Sequence, residues 1–453
     1  MTRNVPITRM NSIVVLADDL TSAGDGAAPF RRAGHRARVL LPGRVDDDVI
    51  PPHDGEGVVA VDLGSRLLGS AVAGALTERA ASAHAGADLL IKTVDSTLRG
   101  HIAAEIRAAR EGSGRRAVVI APAFPAEGRT TVAGVQHVRG VPVHESEFAR
   151  DPVHPVVTSD LTRLLPEAEA VDAGDQKELD LLPELLSRGR VCVCSAATDA
   201  DLDRLVAAVP RPGDVLWVGS PGLAAALARH HPRIPAAAAL PRLPAAQRPL
   251  VAVGSAHPAT RRQLERLRTR PDVTAVHTGS GSGSVSVSAS VSGVAGDANP
   301  SVGTGADPRS SGTDPEAGSE VLRGTGGPAA AVEALRRSDA PVLVVHTPDG
   351  RCDPAQAESL TDELAVAAAR SAAEGLTDGL LVTGGETAAA VLAALGATGI
   401  ELFDEPEPGI ARGALLGPLR IPVLIKAGGF GDDATLERLT RLLIAGGDST
   451  ARG

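Results

Sequence analysis

Short apolar runs, each ended by a turn-forming or acidic residue and followed by a helical stretch, recur along the whole chain. The first half holds seven of them: SIVVLA, ARVLL, GVVAVD, ADLLIKTV, AVVIAPAF, RVCVCSA and DVLWVGS. Apolar runs of this length are typical of strands that are buried on both faces, and the helices between them would cover those faces. The chain is therefore predicted to fold as α/β layers around a largely parallel sheet.

A proline-rich stretch divides the chain into two such halves. At 453 residues the chain is longer than one hydrophobic core usually serves. Residues 232–249 hold five prolines and two alanine runs, a composition that stiffens a chain and removes strand hydrogen bonds. We predict an α/β domain over 1–231, a linker over 232–249 and a second α/β domain over 250–453, with the ligand site in the cleft between them. Residues from about 278 to 327 are mostly Gly, Ser, Ala and Asp and are predicted to form a disordered surface insertion.

The composition favours a small-molecule ligand over a nucleic acid or a membrane. Aromatic residues make up 1% of the chain and the net charge is −10, so platforms for stacking bases are scarce and a phosphate backbone would be repelled. No segment approaches the roughly 18 apolar residues of a membrane helix, and no signal peptide is recognised, which predicts a cytoplasmic protein. The sequence leaves the oligomeric state open, and a homo-oligomer is compatible with it.

Two adjacent carboxylates, Asp18 and Asp19, follow the first predicted strand. Neighbouring negative charges repel each other unless a cation or a ligand compensates them. One interpretation makes Asp19 or Thr21 the N-cap of the next helix, because Asp and Thr are favoured at that position. The other makes one carboxylate the group that hydrogen-bonds a substrate hydroxyl or takes its proton. The sequence alone leaves both interpretations open.

A second polar cluster, KTVDSTLRGH, ends the strand ADLLIKTV and supplies Lys92, Asp95, Ser96 and Arg99. Arg99 could grip a carboxylate with two parallel N–H bonds, and Lys92 could neutralise a phosphate or the same acid. Polar residues after a buried strand converge on the carboxyl edge of a sheet, so we predict that this segment binds the substrate. His101 is predicted to make a local contact at a helix start rather than to act as a base.

A third turn, PAFPAEGRTT, contains two prolines and a glycine that fix its backbone. A purely structural role is one interpretation of this rigidity. The other is that Gly128 and Arg129 present a rigid loop with a second anion-binding fork.

Three strands of the second half end in glycine turns. Glycine lets backbone amides approach a phosphate closely, and a helix beginning near Thr387 would add its positive end. One such turn is a weak signal, but three in one domain predict a site for a phosphorylated ligand. The chain lacks G-x-x-x-x-G-K-[ST], and no G-x-G-x-x-G follows the first strand of either half, which argues against a P-loop ATPase or a Rossmann dehydrogenase. The residues concerned are Gly254, Ser255, Gly384, Gly385, Glu386, Thr387, Lys426, Gly428, Gly429, Phe430 and Gly431.

Taken together, these motifs resemble those of the four-carbon acid sugar kinase family, which phosphorylates threonate, erythronate or their 3-oxo forms with ATP. The resemblance spans nearly the whole chain in family order. The motifs are A-D-D-L-T at 17–21, D-S-T-L-R-G-H at 95–101, P-A-F-P-x-x-G-R-x-T at 122–131, G-S at 254–255, G-G-E-T at 384–387, P-G-I at 408–410 and K-x-G-G-F-G at 426–431. Ser22 departs from the pattern, because the family usually has glycine there.

The resemblance implies an N-terminal domain for the sugar acid and a C-terminal domain for ATP, with Mg²⁺ expected to accompany the nucleotide. ATP would be bound through residues matching Ser255, Gly385 and Gly428–Gly431. The reaction implied is phosphorylation of the terminal 4-hydroxyl group of a four-carbon sugar acid. For that reaction we predict that Arg99, with Lys92, holds the substrate carboxylate.

Asp19 is predicted to orient or deprotonate the terminal hydroxyl, with Asp18 or Asp95 as the alternative base. Two other functions compete with this one: a kinase for a different small hydroxy acid, and a non-catalytic two-lobed binder of sugar acids or nucleotides. The presence of both acidic and glycine motifs argues against the binder, which would need only one lobe.

Overall fold

The computed structural model describes six segments of the chain, residues 12–41, 57–151, 154–233, 243–279, 327–348 and 354–447. Half of the predicted linker and nearly all of the predicted insertion lie outside these described residues, so the domain boundaries stay predictions. The strands are β1 (Ser12–Ala17), β2 (Ala37–Leu40), β3 (Gly57–Asp62), β4 (Leu89–Thr93), β5 (Ala117–Ala121), β6 (Arg129–Val132), β7 (Val135–Val138), β8 (Val141–Pro142), β9 (Glu169–Asp172), β10 (Val191–Ser195), β11 (Val215–Gly219), β12 (Pro249–Val253), β13 (Val273–His277), β14 (Val342–His346), β15 (Gly379–Thr383), β16 (Gly399–Glu407), β17 (Ile410–Leu416) and β18 (Pro422–Lys426).

Helices connect most of these strands and cover both faces of the sheet. None of the described helices is long and apolar enough to cross a bilayer. The helices are α1 (Leu20–Arg32), α2 (Ser70–Ala83), α3 (Ile102–Ser113), α4 (Leu161–Leu164), α5 (Gln176–Ser187), α6 (Asp199–Ala207), α7 (Pro221–His230), α8 (Pro258–Arg268), α9 (Pro328–Arg337), α10 (Pro354–Ala373), α11 (Gly385–Ala394) and α12 (Thr435–Ala445).

The described strands form one sheet of 15 strands and a small sheet of three. In the N-terminal half the order is β2-β3-β1-β4-β11-β5-β10-β9, and all these neighbours are parallel. In the C-terminal half the order is β13-β14-β12-β15-β18, again parallel, followed by β17 and β16 in antiparallel pairing. The prediction of two α/β halves with largely parallel sheets is confirmed. The unbroken apolar runs explain it, because β1, β4, β5, β10 and β11 are buried along nearly their whole length.

The two halves share their sheet, which the sequence did not predict. Strand β2 pairs antiparallel with β16, with Leu40 opposite Gly399 and Ala37 opposite Leu402. This pairing joins what would otherwise be two exposed sheet edges, each with unpaired N–H and C=O groups. The carboxyl ends of the strands in both halves are thereby held in a fixed relation.

Helix α1 packs against both halves through two glycines. A Cβ atom added at Gly26 would lie 2.7 Å from Val15 Cγ1, so the helix approaches the N-terminal sheet closely. A Cβ atom at Gly24 would lie 3.0 Å from Ala411 Cβ on β17. The helix that follows the two carboxylates therefore rests on the N-terminal sheet and on the antiparallel hairpin of the C-terminal half.

Candidate active site

Four carboxyl groups meet at one edge of the N-terminal sheet. Asp18 and Asp19 follow β1, Asp62 is the last residue of β3, and Asp95 lies two residues beyond β4. Strand β1 is the neighbour of both other strands, and Ala17 is in register with Asp62. The sequence prediction that polar residues at strand ends converge is therefore correct for Asp18, Asp19 and Asp95, while Asp62 was missed.

Arg66 compensates the two adjacent carboxylates. Its Nε and Nη2 donate to the two oxygens of Asp18 at 2.8 and 2.9 Å, and its Nη1 donates to Asp19 Oδ2 at 2.5 Å. Nη2 also donates to Ser22 Oγ at 3.1 Å, so the serine that departs from the family pattern helps to fix the guanidinium. A bidentate pair of this kind is strong and directional.

Arg66, and neither Lys92 nor Arg99, is the cation that forms hydrogen bonds with Asp18 and Asp19 among the described residues. Burial alone would raise the pKa of Asp18, but the charges of Arg66 and Lys92 outweigh it and hold the pKa below its usual value. Lys92 therefore contributes at longer range. The only sequence signal for Arg66 is a polar, glycine-bounded segment, GSRLLG, after the strand GVVAVD.

Asp19 is also the N-cap of α1, as one of the two interpretations held. Its Oδ1 accepts from the Ser22 N–H at 2.7 Å, and the Thr21 hydroxyl donates to Oδ2 at 3.0 Å. With Arg66 on the same Oδ2, both oxygens of Asp19 already have donors.

Asp95 and Arg99 form a second ion pair beside the first. Arg99 Nε donates to Asp95 Oδ2 at 2.5 Å, and the Thr97 hydroxyl donates to the same oxygen at 2.6 Å. Burial would raise the pKa of Asp95, but Arg99 and Arg66 hold it well below its ordinary range. The Arg99 side chain is 31% exposed, and its Nη1 also lies 3.6 Å from Asp151 Oδ2. Gly100, with φ of +92°, closes this loop over the first pair, because a Cβ atom there would lie 3.1 Å from Asp18 Oδ2.

Lys92 lies beneath the site rather than on its surface. Its side chain is fully buried, and its ammonium is 2.8 Å from Glu105 Oε2 and donates to the Thr93 carbonyl at 2.7 Å. Glu105 in turn accepts from the Ser65 hydroxyl at 2.5 Å, beside Arg66. Lys92 therefore supports the loop that carries Arg66, and its predicted contact with substrate stays a prediction.

Arg129 spans the two halves. It begins β6 directly after Gly128, whose φ of +65° makes the turn. Its Nη1 donates to Ser96 Oγ at 2.7 Å, and its guanidinium carbon lies 5.6 Å from the ring centre of Phe430 in the C-terminal half. Its buried Nε has no hydrogen-bond partner among the described residues. A buried donor without a partner is costly, which is the arrangement expected where a ligand supplies the acceptor.

The glycine turns of the C-terminal half also meet one another. A Cβ atom at Gly254 would lie 2.1 Å from Thr387 Oγ1, and one at Gly428 would lie 2.5 Å from Ser255 Oγ. Gly384, with φ of +96°, would place its Cβ 3.5 Å from Ser255 Cβ. Three strand ends, those of β12, β15 and β18, thus form one cradle of exposed backbone at the N-terminus of α11. This is the geometry that binds phosphate groups, and its close fit requires glycine.

Buried polar residues fix the 427–431 loop of this cradle. Lys426 is fully buried and donates to the carbonyls of Ala427 and Gly428, at 2.9 and 3.3 Å. Burial lowers its pKa to about 8. Gln263 on α8 donates to the Phe430 carbonyl at 3.1 Å. Lys426 therefore positions the loop from below, and its predicted nucleotide contact stays a prediction.

The cradle faces the carboxylate cluster. A Cβ atom at Gly385 would lie 3.2 Å from Asp19 Oδ2 and 3.5 Å from Thr21 Cγ2. Burial raises the pKa of Glu386, and the charges that act on it, Arg66, Asp19, Asp151 and Arg99, all belong to the N-terminal half. The first turn of α11 therefore connects the two sets of predicted residues.

Replacing Gly254 by alanine is expected to lower the free energy of unfolding by about 1–3 kcal/mol, because the new Cβ would overlap Thr387. The same change should weaken ADP binding by displacing α11 from the cradle. Urea unfolding and calorimetric titration with ADP measure the two effects. Gly74→Ala in α2 is the matched control, since its Cβ would meet only Ala108 Cβ at 3.9 Å. If Gly254→Ala bound ADP as tightly as the parent, this cradle would not be part of the nucleotide site.

Comparisons with known proteins assign a class to this arrangement. Residues 13–227 match the family model described as a sugar-binding N-terminal domain, and residues 313–436 match the one described as a nucleotide-binding C-terminal domain. The fold and these matches thus define a two-domain α/β protein whose halves match a sugar-binding and a nucleotide-binding family model. A solved protein from Salmonella typhimurium LT2 shares the fold, with a TM-score of 0.72, 22% identity and coverage of 95% of this chain and 98% of that chain.

Curated relatives identify the family. The D-threonate kinase of Bordetella bronchiseptica is 35% identical over 439 residues, covering 95% of this chain and 97% of that protein. The D-erythronate kinase of Heliobacterium modesticaldum is 28% identical, covering 92% of this chain and 94% of that protein. The chain belongs to the four-carbon acid sugar kinase family.

Proposed function

We propose that this protein is an ATP-dependent kinase that phosphorylates the terminal 4-hydroxyl group of a four-carbon sugar acid. One observation carries the proposal: the N-terminus of α11, at the glycine cradle, lies directly against the carboxylate–arginine cluster, with the added Gly385 Cβ 3.2 Å from Asp19 Oδ2. A phosphate donor held in the cradle would present its terminal phosphoryl group to a hydroxyl held by the cluster. Positioning and charge neutralisation supply most of the catalysis in phosphoryl transfer.

The nucleotide end of the site rests on backbone rather than on charged side chains. The cradle of Gly254, Gly384 and Gly428 has no room for a Cβ at Gly254 or Gly428, and the positive end of α11 opens into it. This donor set suits the phosphates of ATP. The same loops carry Ser255, Gly429 and Phe430, whose contacts with the nucleotide stay predictions.

The sugar-acid end rests on two arginines. The buried Nε of Arg129 has no hydrogen-bond partner among the described residues, and the Arg99 side chain is partly exposed. The two guanidinium groups are therefore suited to bind the carboxylate of the sugar acid and to stabilise the charge that develops on the transferred phosphoryl group. Asp18 and Asp19, fixed by Arg66, would orient the hydroxyl groups of the substrate.

Mg²⁺, when bound with ATP, would neutralise charge on the phosphate oxygens. The described residues contain no cluster of three or more His, Cys, Asp or Glu side chains that could hold a metal ion. In kinases, Mg²⁺ commonly takes most of its ligands from phosphate oxygens and water.

D-Threonate is the first substrate to test, because the D-threonate kinase relative is 35% identical to this chain and the D-erythronate kinase relative 28%. Incubation with ATP and Mg²⁺ and a panel of C3 to C6 sugar acids is expected to release ADP with D-threonate and to leave a 4-phosphate, seen by ³¹P NMR. ADP release only with another hydroxy acid would identify that acid, and not a four-carbon sugar acid, as the substrate. Tight ATP binding without turnover on any acid would support the non-catalytic binder instead.

A further inference from the structure

Building on the proposed kinase function, we propose that Asp62 is the general base that accepts the proton of the substrate hydroxyl during phosphoryl transfer. Asp62 is the last residue of β3, the residue is only 4% exposed, and it lies beside the carboxylates after β1. It was in none of the sequence motifs.

The other three carboxylates of the cluster are already occupied by donors. Both oxygens of Asp18 accept from Arg66, and both oxygens of Asp19 accept from protein groups. Asp95 is paired with Arg99 and with the Thr97 hydroxyl. A carboxylate that is ion-paired and hydrogen-bonded in this way is a weak base, because its charged form is stabilised.

Asp62 differs from them in its hydrogen bonds. Its Oδ1 accepts from the Gly64 N–H at 2.8 Å, where a φ of +58° at Gly64 turns the chain back over the carboxyl group. Among the described residues no side chain donates a hydrogen bond to Asp62, so its other oxygen is available to a ligand hydroxyl.

The surroundings of Asp62 favour its protonated form. Burial raises its pKa from 3.8 to about 7; the nearby charges of Asp19 and Asp18 add to the rise, while the Gly64 N–H and Arg66 oppose it. A base whose pKa is near the working pH is the most effective proton acceptor. The other packed elements add little: β2 carries Arg38 opposite Val59, and the charged residues of α1 lie further along that helix, at Asp25, Arg31 and Arg32.

In the proposed step the bonds balance without a further reactant. The hydroxyl oxygen forms a bond to the γ-phosphorus as the bond from that phosphorus to ADP breaks, and the electron pair of that bond leaves on ADP. The hydroxyl proton moves to the free oxygen of Asp62 and is then released to solvent.

Asp62→Asn tests the proposal in the full chain. We expect kcat for the sugar acid to fall by about 100-fold or more, with KM for ATP within about threefold of the parent. In the parent, kcat should rise with pH through about 7 as Asp62 ionises, and this inflection should disappear in the variant. Asp62→Glu, which keeps a carboxylate, should recover part of the rate and shift the inflection.

Thermal unfolding separates catalysis from structure. A carboxyl group whose pKa is raised on folding favours the folded state at low pH and loses that contribution as the pH rises from about 4 to about 7. Asp62→Asn removes this loss, so its Tm at pH 8 should exceed that of the parent, although its activity falls. Asp88→Asn, just before the amino end of β4 and so at the opposite edge of the same sheet, is the control and should keep the parent rate and inflection.

Three results would overturn the proposal. The first is a kcat–pH profile of the parent without an inflection between pH 6 and 8, and the second is an Asp62→Asn variant that keeps both the parent rate and the inflection. The third is an Asp62→Asn variant that is slow, has a lower Tm than the parent and still shows the inflection in its residual activity. Failure of the kinase function itself looks different, since the parent would then turn over no acid on the panel.

Discussion

Replacing Arg66 by leucine is expected to lower the free energy of unfolding by about 3–5 kcal/mol at pH 7 and to abolish phosphorylation of the sugar acid. The reason is that Arg66 is the direct partner of Asp18 and also binds Asp19, and its side chain is only 15% exposed. Removing it leaves two adjacent carboxylates with no cation in contact, at a largely buried position. The loop over the site would lose its anchor at the same time.

The pH dependence of Arg66→Leu distinguishes this cause from a simple packing loss. In the parent, the pKa of Asp18 is lower in the folded state than in the unfolded state, which stabilises the fold at pH values above the unfolded-state pKa. This stabilisation is lost as the pH falls through the folded-state pKa. In the variant, burial acts without Arg66 and raises the pKa of Asp18. The stability deficit should therefore be largest near neutral pH and should shrink as the pH falls below about 5, since protonation removes the repulsion.

Urea unfolding between pH 4 and 8 measures this, together with ADP release. Asp18→Asn combined with Arg66→Leu should recover part of the lost stability but none of the activity. Arg107→Leu is the control, because its bidentate pair with Glu167 is about half exposed and is worth about 1 kcal/mol or less. A deficit in Arg66→Leu that does not change with pH would argue against the electrostatic explanation.

The strand order within each half follows from local patterns that a sequence displays. Unbroken apolar runs such as SIVVLA and DVLWVGS produce strands buried on both faces, and polar residues after them come together at one edge because parallel strands end at the same edge. This is why the sequence alone predicts Asp18, Asp19, Asp95 and Arg99 as one group.

The pairings between distant segments have no such pattern. The match of β2 with β16 joins residues about 360 positions apart through backbone hydrogen bonds that any sequence can make. Arg66 lies in a segment that resembles an ordinary turn, and its partners are set by the packing of β3 beside β1. No local pattern pairs Lys92 with Glu105, because Glu105 lies on a helix whose orientation the sequence does not specify.

Arg129 is the residue for which a loss of activity should be largest relative to any loss of stability. Its guanidinium is held by Ser96 on one side and by the face of Phe430 on the other, so it is fixed where the two halves meet. Burial lowers its pKa, and its buried Nε lacks a partner among the described residues. The folded protein thus bears a cost that an anionic ligand would offset by accepting from this N–H group.

Arg129→Met is expected to lower kcat/KM for the sugar acid by about 1,000-fold, because truncating one member of a desolvated charge pair costs about 2–5 kcal/mol and each 1.4 kcal/mol is a factor of ten. Its Tm should stay close to that of the parent, since the lost hydrogen bond to Ser96 is balanced by removal of an unpaired buried donor. Arg129→Lys should recover little of the lost activity, because an ammonium group lacks the planar fork.

Steady-state kinetics with each substrate varied, together with thermal unfolding, measure these effects. Arg139→Met, at the exposed end of the same small sheet, is the control and should keep both values. A parent-like kcat/KM in Arg129→Met would show that this guanidinium does not contact the reacting ligands.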